Sequence, residues 1–313
     1  MMSLGDVLRS NIKVSVCVVA YNQKEYLREC LDSLINQELN CGYEIIVGDD
    51  ASSDGTADLV KEYANKFPDL IVPILHEKNL GATKNYISTH GRARGEYVSH
   101  MDGDDIAYSG KLQKQVDYLD KNKKSVLVWH KVNVFNDAGE INKILHDRLN
   151  EIVDVEAITK TDFLKYGMLG AHSSTMYRRS AAPKFESIKS EVLDYFLIGL
   201  VLDFGTACRI EEVLGGYRLN ADKKTFSKNK SLYFNKSPIR KMYSKHLLWF
   251  FFQDGRYREA IFLNSFFNFL VDIRFLRPTA IDFLFLSIRS FSLSGILNFS
   301  KYYPEAMKLR GFS

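Results

Sequence analysis

Residues 14–37, VSVCVVAYNQKEYLRECLDSLINQ, run from a β-branched strand straight into an amphipathic helix. The run 14–19 has the make-up of a strand buried in a parallel sheet. Behind it Leu27, Cys30, Leu31, Leu34 and Ile35 repeat at i, i+3, i+4, i+7 and i+8, which marks one buried helix face. The two are joined by AYNQ, not by the G-x-G-x-x-G of a dinucleotide-cofactor fold.

The same unit recurs along the chain. YEIIVG (43–48) is a second strand, ending at Asp49 and Asp50. Val60, Tyr63, Ala64 and Phe67 stripe a helix that Pro68 stops, and LIVPILHE (70–77) is a third strand. A helix follows at about 82–92 and EYVSHM (96–101) is a fourth strand. Leu112, Val116 and Leu119 stripe the next helix, and SVLVWHKVNVF (125–135) is a fifth strand. Strands alternating with helices of this length predict an α/β fold: a Rossmann-like, mostly parallel sheet flanked by helices. Such sheets bind ligands beyond the carboxyl ends of their strands, where strand order reverses. Three strand ends carry polar groups: Tyr21 with Asn22, Asp49 with Asp50, and Asp102 with Asp104 and Asp105.

Beyond residue 136 the signals shorten. NDAGE (136–140) reads as a hairpin turn, 159–166 as a short helix and SSTMYRR (173–179) as a strand. EVLDYFLIGLVLDFG (191–205) reads as a buried helix, LGGYRLN (214–220) closes this part, and NADKKTFSKNKS (220–231) is a polar linker. From about 232 the chain is helical and aromatic, with DGRYREA (254–260) resembling a helix-hairpin turn. The expected division is a domain over 1–225 and a helical, basic, aromatic-rich C-terminal region over 226–313.

Composition bounds the partners. With 46% hydrophobic and 26% charged residues the chain is globular rather than disordered. Its net charge of +4 is uneven: from Ser231 onward there are 12 Lys/Arg against 5 Asp/Glu. Four cysteines (Cys17, Cys30, Cys41, Cys208) without C-x-x-C spacing suggest reduced thiols, and residues 1–13 lack a signal-peptide core. The longest uncharged run in the apolar tail, Ala260–Val271, is shorter than the ~20 residues a spanning helix needs. A cytoplasmic protein is expected. Its tail either buries its Phe in a small bundle or rests a basic amphipathic face on the inner surface of the cell membrane. No stacking or groove-binding motif points to nucleic acid. Oligomeric state leaves no trace in the sequence.

Asp102, Gly103 and Asp104 form a D-x-D that Asp105 extends. Carboxylates this close repel, so either the turn is solvated or a cation sits among them. Hard oxygen donors on a strand-end loop suit Mg²⁺ or Mn²⁺ bridged to phosphate oxygens. Neither zinc spacing nor a G-x-x-x-x-G-K-[ST] loop is present.

VSVCVVAYNQKEYLRECLDSLINQ, YEIIVGDDASSDGT, NLGATKN and EYVSHMDGDD, in this order and spacing, resemble the successive motifs of the family 2 glycosyltransferases of GT-A fold. The resemblance covers roughly residues 13–220. It implies inverting transfer of a sugar from a nucleotide-diphosphate donor, UDP-sugars first, to an acceptor hydroxyl with Mn²⁺ or Mg²⁺ bound. The acceptor class implied is a glycan or lipid-linked intermediate of cell-surface polysaccharide synthesis, such as lipopolysaccharide or capsule.

Carried over by residue, Tyr21 and Asn22 would lie against the nucleoside, and Asp50 would bond the base with Asp49 beside it. The plainer alternative for that pair is capping the helix that starts near Ser53. Lys84 would lie near the nucleotide, or be a solvated helix lysine. Asp102 would face ribose or metal, Asp104 would bind the metal, and Asp105 could start the next helix. Asp194 matches the family's base, with Glu191 as runner-up because Leu193 stands where a Glu is usual. In YRLN, Asn220 replaces the family's His, which leaves Arg218 as a candidate only. His172 is a candidate acceptor contact, and His76, His100 and His130 read as strand residues. Two alternatives remain: a catalytically weak nucleotide-sugar-binding scaffold, and a nucleotidyltransferase. The latter lacks its Gly-rich basic loop after the first strand.

Overall fold

The computed structural model describes residues 12–167, 169–189, 191–192, 194–219, 237–275 and 277–309. Its first half runs β1 (Ile12–Ala20), α1 (Lys24–Ile35), β2 (Gly42–Asp49), α2 (Thr56–Lys66), β3 (Ile71–Leu75), α3 (Ala82–His90), β4 (Tyr97–Asp102) and β5 (Ile106–Ala107). Then come α4 (Lys111–Lys121), β6 (Ser125–Asn136), β7 (Ile141–Ile144), α5 (Lys160–Tyr166), β8 (Met176–Arg178), α6 (Asp194–Val201) and β9 (Thr206–Leu219). Four helices follow: α7 (Ser237–Gln253), α8 (Arg258–Arg274), α9 (Ala280–Arg289) and α10 (Leu293–Leu309). The linker read over 220–231 and the segment 1–11 lie outside the described residues.

The described strands form one sheet in the order β3-β2-β1-β4-β8-β6-β9-β5, with β7 hydrogen-bonded to β6. β3, β2, β1 and β4 pair in parallel, as the alternating pattern requires. Parallel pairing recurs only between β6 and β9. β8 runs antiparallel to both β4 and β6, β5 to β9, and β7 to β6. The antiparallel pairs belong to the short segments whose periodicity is weakest. From β1 the chain moves outward to β2 and β3, then returns to place β4 on the other side of β1. The switch in strand order therefore falls between β1 and β4, and their carboxyl ends are where a sheet of this kind offers a crevice to a ligand.

Two compact units divide the described residues. One holds the chain up to Leu145 with Gly170–Val192 and Leu200–Leu219, and so contains the whole sheet. Its core packs Val14, Val16 and Val18 of β1 and Val47 of β2 against Leu27, Leu31 and Leu34 of α1. The other holds His146–Leu169, Leu193–Gly199 and the C-terminal helices. Two segments from within the first 225 residues thus group with the tail, whereas the sequence places the division at 225.

In the second unit Thr159 and Asp162 close a capping box at the start of α5. Tyr243, Phe250, Phe267, Phe283 and Tyr302 are all buried. Arg240 and Arg277 both pair with Asp272, which is fully buried, at 2.7 and 3.2 Å. Among the described residues no helix is long and apolar enough to cross a membrane.

Candidate active site

β1 ends at Ala20, whose carbonyl accepts the main-chain N–H of Asp50 at 3.1 Å, so the loops after β1 and β2 are stitched side by side. Tyr21 is half exposed, and Asn22 takes a left-handed backbone (φ 52°) that a short polar side chain tolerates. Asn22 Oδ1 accepts from the Ser53 N–H at 2.8 Å, and the Asn22 N–H donates to Ser52 Oγ at 2.9 Å. Asp49 is buried and accepts from both the hydroxyl and the main-chain N–H of Ser52. Asp50, also buried, accepts the N–H groups of Leu80 and Gly81 at 2.7 and 3.0 Å. Both carboxylates thus hold main chain around the crevice. Helix α2 itself begins later, after Gly55, and Asp54 bonds its first residue, Thr56.

Lys84 is exposed on α3, between the buried Thr83 and Asn85. The Thr83 hydroxyl donates to Glu191 at 2.8 Å and accepts the Val192 N–H at 3.0 Å. Glu191 Oε1 lies 2.9 Å from where a Cβ on Gly81 would fall, so a side chain at 81 would displace that carboxylate. Gly81 also has φ 88°, which favours glycine independently.

At the end of β4, Gly103 lets the chain press against β1. Its N–H donates to the Val19 carbonyl at 3.0 Å, and a Cβ there would meet Gln23 at 2.9 Å and Ala20 at 3.2 Å. Asp102 and Asp104 on either side are partly exposed, and Asp105 is buried. The Asp102 N–H donates to Ser173 Oγ at 3.0 Å, and that hydroxyl lies 3.2 Å from Asp102 Oδ2.

Two protein cations sit among these carboxylates. Lys111, fully buried at the start of α4, donates to the Ser173 carbonyl at 2.7 Å. Burial pulls its pKa down to about 8, while Cys30, Asp105 and Asp102 pull the other way. Arg218, buried on β9, donates its N–H to Asp105 Oδ1 at 2.8 Å and its Nε–H to the Asp104 carbonyl at 2.9 Å. Its guanidinium pairs with Glu29 and lies over the rings of Tyr26 and Phe135 at 4.8 and 4.6 Å. An open cavity of about 430 Å³ adjoins it, lined also by Glu29, Tyr108, Phe135 and Asp137. Asn220 lies outside the described residues.

The histidines, of which the sequence marks only His172 as a candidate contact, form the least expected part of the site. His90 of α3 joins Tyr177 Oη at 2.9 Å through Nδ1 and His100 Nδ1 at 3.0 Å through Nε2. His100 Nε2 in turn lies 3.2 Å from Asp102 Oδ1. The His172 ring stacks on His100 with centroids 3.7 Å apart, and Tyr86 stacks on His90 at the same spacing. Burial holds His90 well below the usual histidine range and lowers His100 to about 4, so both rings are neutral at pH 7. One donor atom each from His100, Asp102 and His172 lie within 4.8 Å of one another, a set that could hold a metal ion. A signal for it existed: His100 and Asp102 are two apart on one strand and so share a face.

The donor chemistry fits a divalent cation. Asp102 and Asp104 supply hard oxygens at the crevice, and the two imidazoles beside Asp102 suit Mn²⁺ better than Mg²⁺. Asp194 opens α6 in the second unit, partly exposed, and its Oδ1 accepts the Tyr195 N–H at 2.7 Å.

Comparison with known proteins gives this architecture its family. Residues 15–185 match Glycosyl transferase family 2, and the chain belongs to that family. An uncharacterized protein of Mycobacterium tuberculosis is 32% identical over 212 residues, 66% of this chain and 59% of that protein. The chain thus spans about three fifths of that relative's length. A putative teichuronic acid biosynthesis glycosyltransferase of Bacillus subtilis is 25% identical over 244 residues, 77% of this chain and 93% of its own. Among solved structures, a mannosyltransferase from Pyrobaculum calidifontis in complex with GDP-Man and Mn²⁺ superposes with a TM-score of 0.59. It is 17% identical, over 96% of this chain and 84% of that one, a likeness of fold.

Proposed function

We propose that this chain is an inverting glycosyltransferase that uses a divalent metal. It moves a sugar from a nucleotide-diphosphate donor, UDP-sugars first, to a hydroxyl of a glycan or lipid-linked acceptor in cell-surface polysaccharide synthesis. The observation that carries the reading is the position of Asp102 and Asp104 at the carboxyl end of β4, beside the strand-order switch, in a chain of this family. Binding of GDP-Man with Mn²⁺ by the Pyrobaculum neighbour supports a metal-bound sugar nucleotide, and the Bacillus relative's name supports a cell-wall glycan as product.

In this reading Asp104 and Asp102 hold Mn²⁺ or Mg²⁺, which when bound offsets the charge of the leaving diphosphate. Tyr21 and Asn22 flank the nucleoside, and Lys84 reaches towards the nucleotide. Asp50 bonds the base with Asp49 beside it, and the two carboxylates hold the 50–54 and 78–81 loops in place. Asp194 takes the proton of the acceptor hydroxyl as its oxygen bonds to the anomeric carbon, and Glu191 is the second candidate. The bond from that carbon to the diphosphate breaks on the opposite face, and the nucleoside diphosphate leaves with the electron pair.

A thermal-shift panel of UDP, GDP, CDP and dTDP, each with Mn²⁺, Mg²⁺ or EDTA, tests the binding half. A nucleotide at 100 times its Kd adds about 2.7 kcal/mol to stability. The expected result is a higher Tm with one nucleotide, dependent on metal and absent in Asp104→Ala. No shift with any nucleotide overturns the donor assignment. Asp194→Asn should then bind donor as wild type does but transfer it ~10²–10⁴-fold more slowly, the usual worth of a positioned base.

A further inference from the structure

Two consecutive helices of the second unit turn apolar stripes outward. In α9, Phe283, Leu286 and Ser287 face inward, and the Ser287 hydroxyl meets that of Ser265 on α8. The opposite stripe is Ile281, Leu284, Phe285 and Ile288, at i, i+3, i+4 and i+7, with Ile281 76% and Ile288 65% exposed. In α10, Leu293, Ile296 and Leu297 repeat the spacing, and Leu297 is 73% exposed. Both helices pack on α8: Ser287 of α9 meets Ser265, and Phe299 of α10 meets Phe266. The stripes are what remains uncovered after that packing. A helix that needed only to cap the bundle would put polar groups there, because a contiguous exposed apolar patch marks a surface that something covers.

Charge selects the occupant. Residues 273–301 contain Arg274, Arg289 and Lys301, besides Arg277, which pairs with Asp272, against one acid, Asp282. Arg289 lies over the exposed rings of Phe252 and Phe285 at 5.3 and 5.4 Å, and Arg274 over Phe275 at 5.9 Å. A second copy docking by a two-fold axis would bring these arginines towards themselves with little acid to meet them. An anionic bilayer supplies the phosphates they lack, while the Ile, Leu and Phe side chains enter the acyl boundary.

We propose that the stripe Ile281–Leu284–Phe285–Ile288, continued by Leu293, Ile296 and Leu297, is a docking face for an anionic lipid surface. Arg274 and Arg289 bind its headgroups. The chain lies on the bilayer through this face. The inference is independent of the sugar-transfer reading.

Flotation of the full chain with vesicles of phosphatidylcholine and phosphatidylglycerol, against phosphatidylcholine alone, tests it. Binding to the anionic vesicles should be at least tenfold tighter and should weaken in 0.5 M NaCl. Ile281→Ser/Ile288→Ser/Leu297→Ser should lose at least tenfold in binding with an unchanged Tm, because none of the three is in the core. Arg274→Gln/Arg289→Gln, a second pair outside the core, should bind both vesicle types equally. Wild type that stays with the pellet fraction in both cases overturns the proposal. So does a concentration-dependent dimer in light scattering that the triple variant abolishes, which assigns the stripe to a second copy.

Discussion

Asp50 holds Gly81: its carboxylate accepts the Gly81 N–H at 3.0 Å and, through the other oxygen, the Leu80 N–H at 2.7 Å. The two bonds span 30 and 31 positions and tie the end of β2 to the entry of α3. Hydrogen bonds to a charged acceptor are worth ~1.5–3 kcal/mol each. Asp50→Asn keeps the shape but gives up one acceptor and the charge, so it should cost ~2 kcal/mol in urea unfolding. Protection of the amides of Leu80 and Gly81 from hydrogen exchange should fall with it. Unchanged protection at both amides would show that Asp50 does not anchor this loop.

Arg218 makes a second such connection, between β9 and the loop after β4. Its donors reach the Asp104 carbonyl, Asp105 and Glu29, and its guanidinium lies over two rings. Arg218→Lys retains the charge but cannot reproduce the planar fork or the stacking. Glu29 is more than half exposed, and the bond to Asp105 comes from the main chain and survives substitution, so Arg218→Ala loses chiefly the bond to the Asp104 carbonyl and the two rings. Arg218→Ala should cost ~2 kcal/mol and Arg218→Lys about half of that, both by chemical denaturation. Wild-type stability in Arg218→Lys would reduce the residue to a point charge.

The contrast between these residues explains what the sequence disclosed. β1, α1, β2 and α2 were legible because Val14 to Val19 and Leu27 to Ile35 carry strong local periods. Their packing follows from faces that each segment displays alone. The crevice was legible too, because polar residues at three strand ends need only the βαβ rule to be gathered. Arg218 is only a candidate on sequence, since Asn220 stands in place of the family's His. Its hydrogen-bond partners Asp104, Asp105 and Glu29 are more than a hundred positions away and leave no local pattern. The clustering of the histidines leaves no local pattern for the same reason, and the sequence marks His172 only as a candidate acceptor contact. His90, His100 and His172 lie on a helix, a strand and a 3₁₀ turn, and only the fold stacks them. The short β5, two residues held by β9, has no period to read.

His130 gives a pH dependence. It is buried on β6 with Nδ1 on the Lys131 carbonyl, and burial, then the Lys111 charge, lowers its pKa to about 3. The unfolded chain binds a proton near pH 6.5 and the folded chain does not until about pH 3. Its contribution is therefore complete above pH 6.5 and is lost as pH falls from 6.5 towards 3. Each unit of that window is worth ~1.4 kcal/mol, so the loss reaches a few kcal/mol. His130→Gln should flatten the stability–pH curve between pH 6.5 and 4, measured by urea unfolding at several pH values. A slope equal to wild type would mean that other groups carry the acid sensitivity.

The chain Tyr177–His90–His100–Asp102 makes a prediction about metal selectivity. A ligating imidazole usually donates its other N–H to a fixed acceptor, and His90 Nε2 stands 3.0 Å from His100 Nδ1 for that purpose. With His172 stacked alongside, the donor set is two nitrogens and an oxygen. Such a set follows the order Mn²⁺ < Co²⁺ and disfavours Mg²⁺. Titration of the nucleotide-free protein with Co²⁺ should give a visible absorption spectrum with stronger bands than the hydrated ion. His172→Gln and Asp104→Ala should each weaken it, and His90→Gln should weaken affinity ~10–100-fold, as loss of an outer partner does. A spectrum that disappears in Asp104→Ala and persists in His172→Gln would place the ion on the carboxylates alone. The histidines would then be a hydrogen-bonded support that fixes the rotamer of Asp102. In that case His90→Gln should alter protein stability and leave Co²⁺ affinity where it was.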